Sequence, residues 1–131
     1  MANPSISSKK RPKHLELWKI RLPVPGIVSI LHRVSGAVMF LVLIPVLLAA
    51  LDGSLASQES FEDLRFQLSG PLVKLVVLGL SWAFAHHALA GVRYLLLDLH
   101  IGIDLATTRL WSKAVLVVSG LLTLLVAVAL W

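Results

Sequence analysis

Cysteine does not occur in the 131 residues. Its absence rules out disulfides, thiolate metal sites and cysteine-ligated iron–sulfur clusters within the chain, so any bound metal must be held by histidine or oxygen. Charge is scarce as well: Asp, Glu, Lys and Arg make up 15% of the sequence, against roughly 25% in an ordinary soluble domain. Three stretches carry none, residues 34–51, 75–92 and 114–131, each 18 residues long. At ~1.5 Å rise per residue each approaches the roughly 30 Å hydrocarbon core once flanking turns are added. These absences exclude a soluble domain and predict an all-α membrane protein with three transmembrane helices. No internal repeat is visible, and an odd helix count argues against a self-contained inverted-repeat transporter. The first apolar run begins beyond residue 30 and is too long for the ~7–15-residue core of a cleaved signal peptide, so it is expected to be kept.

Acidic residues are the scarcer sign, 7 against 12 Lys and Arg. A net charge of +5 could point to nucleic acid, but the cations cluster at helix ends rather than along a soluble face, and nucleic acid is excluded as a partner. Lys9, Lys10, Arg11, Lys13, Lys19, Arg21 and Arg33 precede or open the first run, and Arg93, Arg109 and Lys113 lie between the second and third. With three alternating helices these fall on one side. The other side receives only Arg65 and Lys74, against Asp52, Glu59, Glu62 and Asp63. The positive-inside rule then predicts a cytoplasmic N-terminus and an external C-terminus.

Along the chain, residues 1–25 read as a polar tail followed by an interfacial segment in which Trp18, Ile20 and Leu22 alternate with charges, and residues 26–131 as the membrane domain. Pro23 and Pro25 delay the first helix to near Gly26, and Pro45 predicts a kink within it. The polar connection after it has room for a short amphipathic helix over Phe61 to Leu68. Helix two is expected from about Pro71 to Asp98. Gly102 should break the chain before helix three, with Trp111 as an interfacial anchor.

Ionisable groups at membrane depth are costly and need partners. In SILHRVSG, Ser29, His32, Arg33 and Gly36 recur at i, i+3, i+4 and i+7, one face of helix one. Such a set suits a polar site, and equally an arginine that snorkels to water while its neighbours bond locally. In HHALAGVRYLLLD, His87, Gly91, Tyr94 and Asp98 form a single stripe of helix two, whereas His86 shares another face with Arg93. Neutral imidazole is a good iron ligand, and a glycine one turn away leaves a flat macrocycle room to approach. A buried histidine that hydrogen-bonds a neighbouring helix fits the same spacing. With one histidine on the stripe and none at matching depth in helix three, a second axial histidine would have to come from another chain.

The ordered set of Arg11–Pro12, Ser29-x-x-His32-Arg33-x-Ser35 and His87-x-x-x-Gly91-x-Arg93 followed by Asp98 resembles the cytochrome b556 membrane-anchor subunits of succinate dehydrogenase, respiratory complex II, over nearly the whole chain. The resemblance implies three helices forming part of a heteromeric helix bundle in a bacterial inner membrane. It implies a haem b shared with a second small membrane-anchor subunit, His87 as an axial iron ligand, and His86 as a bystander. It places His32, Arg33, Gly91, Arg93 and Tyr94 around the haem and its propionates, and Ser29 and Arg33 at a ubiquinone site. The implied partners are a flavoprotein, an iron–sulfur subunit, the second anchor and the lipid bilayer; succinate itself is oxidised elsewhere. Tyr94 departs from the pattern, since relatives often carry histidine there: it keeps a hydrogen-bonding tip but does not titrate near neutral pH. A haem-free structural anchor of a succinate dehydrogenase or fumarate reductase is the competing expectation, and a small proton or solute carrier a remoter one.

Overall fold

The computed structural model describes residues 20–131; the expectations for the tail, for Arg11 and Pro12 and for Trp18 lie outside the described residues. Among the described residues the chain is helical with no strand. The first span consists of α1 (Val24–Val38), a π-helical turn (Met39–Leu43) and α2 (Ile44–Ala56). α3 (Gln58–Ser69) follows, then the long helices α4 (Pro71–Asp98) and α5 (Leu105–Leu130). Three continuous segments are long and apolar enough to cross a membrane, Val24–Ala56, Pro71–Asp98 and Leu105–Leu130.

Helix one begins at Val24, two residues before the expected start, because Pro25 occupies its first turn, where the missing N–H has no intrahelical acceptor to lose. Pro45 acts on the turn before it. Its ring would collide with the carbonyl one turn back, and the wider π-helical turn Met39–Leu43 lies there. Beyond that turn α2 packs on α3 rather than on α4 or α5, which leaves an apolar wedge of about 790 Å³ lined by Leu47, Leu80, Phe84 and Val126 among others.

α3 is longer than the hydrophobic pattern suggests. Its first turn is polar, and what starts it is a capping box in which Ser57 Oγ accepts from Ser60 N–H at 3.1 Å and Ser60 Oγ accepts from Ser57 N–H at 3.0 Å. α4 ends in a Schellman turn: His100 N–H donates to the Leu97 carbonyl and Ile101 N–H to that of Leu96, both at 2.9 Å, with His100 in the left-handed region at φ 61°. Gly102, at φ +73°, completes the reversal. The side chain of Trp111 packs on it so closely that a Cβ there would lie 2.8 Å from Cζ3. α5 starts at Leu105, well before the charge-free run, because Asp104 caps it by accepting from Thr107 N–H at 2.9 Å.

α4 is the centre of the bundle, packed on α1 and α5. Its buried stripe is Leu80, Ala83, His86, Ala90 and Arg93; that of α5 is Ser112, Val115 and Ser119, and α1 contributes Val28 and Ser35. Val28, Ala90 and Val115 pack together. Because α4 and α5 run antiparallel from that contact, His86 lies level with Ser119 and Arg93 with Ser112. Both serine hydroxyls donate to carbonyls of their own helix, at Thr108 and Leu116.

Candidate functional site

The polar groups of helix one and helix two meet across the α1–α4 contact. α1 arrives with Gly36 facing α4, and the absence of a side chain there lets His87 lie against the backbone: a Cβ on Gly36 would stand 2.8 Å from His87 Cε1 and 3.3 Å from Nδ1. His87 Nδ1 lies 3.0 Å from the backbone carbonyl of His32 and 3.3 Å from Ser35 Oγ. A carbonyl only accepts, so Nδ1 carries the proton. The Ser35 hydroxyl gives its own hydrogen to the same carbonyl at 3.0 Å, which leaves its oxygen to share the imidazole N–H. For the neutral ring this sets the tautomer from α1, with the lone pair on Nε2, which has no partner among the described residues.

The rings form a continuous column. His32 stacks on His87 with centroids 4.2 Å apart and planes 11° from parallel. Tyr94 follows at 5.1 Å from His32, tilted by 53°, and the Arg93 guanidinium carbon lies 5.2 Å from the Tyr94 ring. Gly91 is beside this column, its open Cα position 3.7 Å from His32 Nε2 for a built Cβ. His32, His87, Gly91 and Tyr94 are thus brought together, with Arg93 joined through Tyr94. Ser29 and Arg33 form their own pair: Arg33 Nη2 donates to Ser29 Oγ at 3.4 Å, and Arg33 is exposed. Asp98, at the end of the stripe, is exposed too.

The two adjacent histidines have opposite surroundings. His86 is 0% exposed, neither ring nitrogen has a well-formed hydrogen bond among the described residues, and its ring stacks on Trp82 at 5.2 Å within the three-helix interior. His87 is only partly buried and is held by its other nitrogen, as a histidine that ligates metal through Nε2 must be. Spacing alone did not reveal Ser35, Gly36 and Trp82 as the residues that hold the pair apart. The small residues one turn from His32 were the available signal for the first two.

The sequence matches the family described as succinate dehydrogenase/fumarate reductase transmembrane subunit over residues 7–126. The chain belongs to that family. It is 37% identical over 123 residues to the succinate dehydrogenase cytochrome b556 subunit of Coxiella burnetii, covering 93% of this chain and 98% of the relative. It is 30% identical over 131 residues to the subunit of the same description from Paracoccus denitrificans, covering 96% and 97%.

Proposed function

We propose that the chain is the haem b-binding membrane anchor of a succinate:quinone oxidoreductase, and that it helps pass electrons from an iron–sulfur subunit to ubiquinone. The observation that carries this reading is the His87 imidazole, whose proton is committed to the His32 carbonyl at 3.0 Å and whose Nε2 is left to ligate iron. Haem b bound there supplies a one-electron centre inside the membrane. His87 would hold the iron, while Gly36, Ser35 and the His32 backbone hold His87. Gly91 and the ring of His32 keep a slim wall beside it, with Tyr94 and Arg93 the more distant part of the same environment. A second small anchor subunit would supply the remaining protein ligand to the iron.

Ser29 and Arg33 act on the quinone. The Ser29 hydroxyl donates to a carbonyl oxygen, and the exposed Arg33 guanidinium favours negative charge on it during reduction. Their 3.4 Å contact keeps both groups over the same spot, at the end of α1 toward the basic tail. That end faces the cytoplasm in this reading, where the flavoprotein and iron–sulfur subunits dock, in a bacterial inner membrane. Co-purification through a tag on this chain, followed by a reduced-minus-oxidised absorption spectrum, tests the proposal. Three partner subunits and a b-type band are expected. The same partners with quinone reductase activity and no such band would instead establish a haem-free anchor.

A further inference from the structure

The wedge beside α2 is held open from both ends. α2 contains no buried residue, and it packs on α3 and on the π-helical turn rather than on α4 or α5. At one end Pro45 and the turn before it set the direction in which α2 leaves the bundle. At the other, Ser60 Oγ ties the α2–α3 corner by donating to the Gly53 carbonyl at 2.7 Å while it accepts from Ser57 N–H. From that corner the 12 residues of α3, about 18 Å of helix, reach to Gly70, where α4 begins. α3 is therefore a strut. It keeps α2 off α4 and α5, and its own Leu68 joins the lining of the space between them.

What fills the wedge must be apolar along its length. The wall offers no free hydroxyl hydrogen, because Ser81 and Thr123 donate to the carbonyls of Val77 and Ser119 on their own helices, at 2.7 and 2.8 Å. The lining follows α4 from Val77 to Leu89, roughly 18 Å, which is more than half of the roughly 30 Å hydrocarbon core. Spread over that length, 790 Å³ gives a mean cross-section of about 44 Å², whereas a helix with its side chains, ~10–12 Å across, takes about 80–110 Å². A partner's transmembrane helix does not fit. An extended hydrocarbon chain does, since carbon atoms pack at about 3.5–4.0 Å. Leu47, Phe84 and Leu125 of the lining are exposed, so the wedge opens sideways to lipid.

Charge marks one end of it. Lys74 lies one turn outward from Val77, and Leu130 one turn outward from Val126. Lys74 Nζ donates to the Leu130 carbonyl and stands 4.9 Å from the centroid of the Trp131 ring, which is exposed. Lys74 itself is half-buried, not sealed, and its one hydrogen bond among the described residues is to that carbonyl. The remaining N–H groups of the ammonium are left for an anion at headgroup depth.

We propose that the wedge is an acyl-chain site for a phospholipid of the leaflet at the Lys74 end, with one chain between Leu47, Phe84 and Val126 and the phosphate beside the Lys74 ammonium. The inference rests on the membrane-spanning assignment and not on haem. To test it, the purified assembly is loaded with phosphatidylglycerol bearing a mid-chain diazirine, washed in detergent to strip lipid from its outer surface, and irradiated. Labelled residues are mapped by mass spectrometry. Label is expected on Leu47, Phe84 and Val126 at least ten-fold above Val117 and Leu121, which are exposed on α5 outside the wedge. It should fall at least ten-fold in Ala50→Trp, which fills the wedge from α2, and Val126→Trp serves if Ala50→Trp fails to co-elute with its partners. Diacylglycerol with the same diazirine should label the wild type at least five-fold less than phosphatidylglycerol, and Lys74→Gln should bring the two within two-fold. Label spread evenly over α5, unchanged label in a wedge-filling variant, equal labelling of the wild type by the two lipids, or a wedge left unlabelled because a partner segment covers it would each overturn the proposal. An assembly without haem still gives the label, so failure of the haem reading and failure of this one are separate results.

Discussion

Gly36→Ala isolates the clamp on His87. The added methyl would stand 2.8 Å from His87 Cε1, where ordinary contacts begin near 3.4 Å, so ring or helix must yield by about half an ångström or more. Turning the ring is not free, because it is stacked at 4.2 Å on His32 and bonded to the His32 carbonyl at 3.0 Å. Losing that hydrogen bond costs about 0.5–1.5 kcal/mol, and overpacking a close helix contact about 1–3 kcal/mol. Haem affinity should therefore weaken between roughly ten-fold and a thousand-fold, at about 1.4 kcal/mol per decade. The assay is the haem-to-protein ratio of the purified assembly, followed during titration with haem. Gly91→Ala is the comparison: its Cβ would meet His32 Nε2 at an ordinary 3.7 Å, so strain within this chain is small. Full haem occupancy with unchanged affinity in Gly36→Ala would refute the argument that α1 fixes the ligand.

Further outcomes follow from other parts of the molecule. Ser29→Ala and Arg33→Leu should lower quinone reductase activity while sparing succinate oxidation by a soluble dye; a joint fall in both assays would make the pair an assembly element. Protease added to cytoplasm-side-out vesicles stripped of soluble subunits should cut at Lys9 and Lys10 and spare the Glu59 to Arg65 segment, and the opposite pattern would reverse the topology. At the start of α5, Thr107, through its side chain and its backbone N–H, holds the Asp104 carboxyl below the usual carboxylate range. A depressed carboxyl contributes its stability above the unfolded-state value near 3.8 and loses it as pH falls through the lower folded value. Amide exchange over residues 105–108 should accelerate in Asp104→Ala at neutral pH and stay near wild type in Asp104→Asn, which still caps; equal protection in all three would show that the cap is idle.

The spans were legible because a membrane interior forbids charge, and the three charge-free runs fall inside long helices, the last but for Trp131. Their ends were less so. α5 extends back past Lys113 and Arg109 to Asp104, since cations near a helix end can reach the interface while the backbone stays helical. The cap signal Asp104-x-x-Thr107 was present, but charge content alone hid it. Pro45 announced an interruption, whereas its placement as a π-helical turn at Met39–Leu43 depends on how α1 is held against α4. In the site, helical phase separated His87 from His86, and the structure keeps them on different faces. Phase could not tell that the His32 backbone rather than its ring would bond His87, nor that Gly36 and not Gly91 makes the tightest approach. Both depend on the distance between two helices, which no single-helix pattern contains.

The central claim is that His87, and not its neighbour, ligates the haem, and paired leucine substitutions address it most directly. His86→Leu removes two buried nitrogens that have no partner among the described residues and leaves an apolar side chain beside Trp82, so the assembly should form. His87→Leu removes the free Nε2. The low-spin b-type signal of the purified assembly, read by optical and electron paramagnetic resonance spectra, should survive in His86→Leu and disappear or turn high-spin in His87→Leu. Retention of the wild-type signal in His87→Leu, or its equal loss in both variants, would contradict the account.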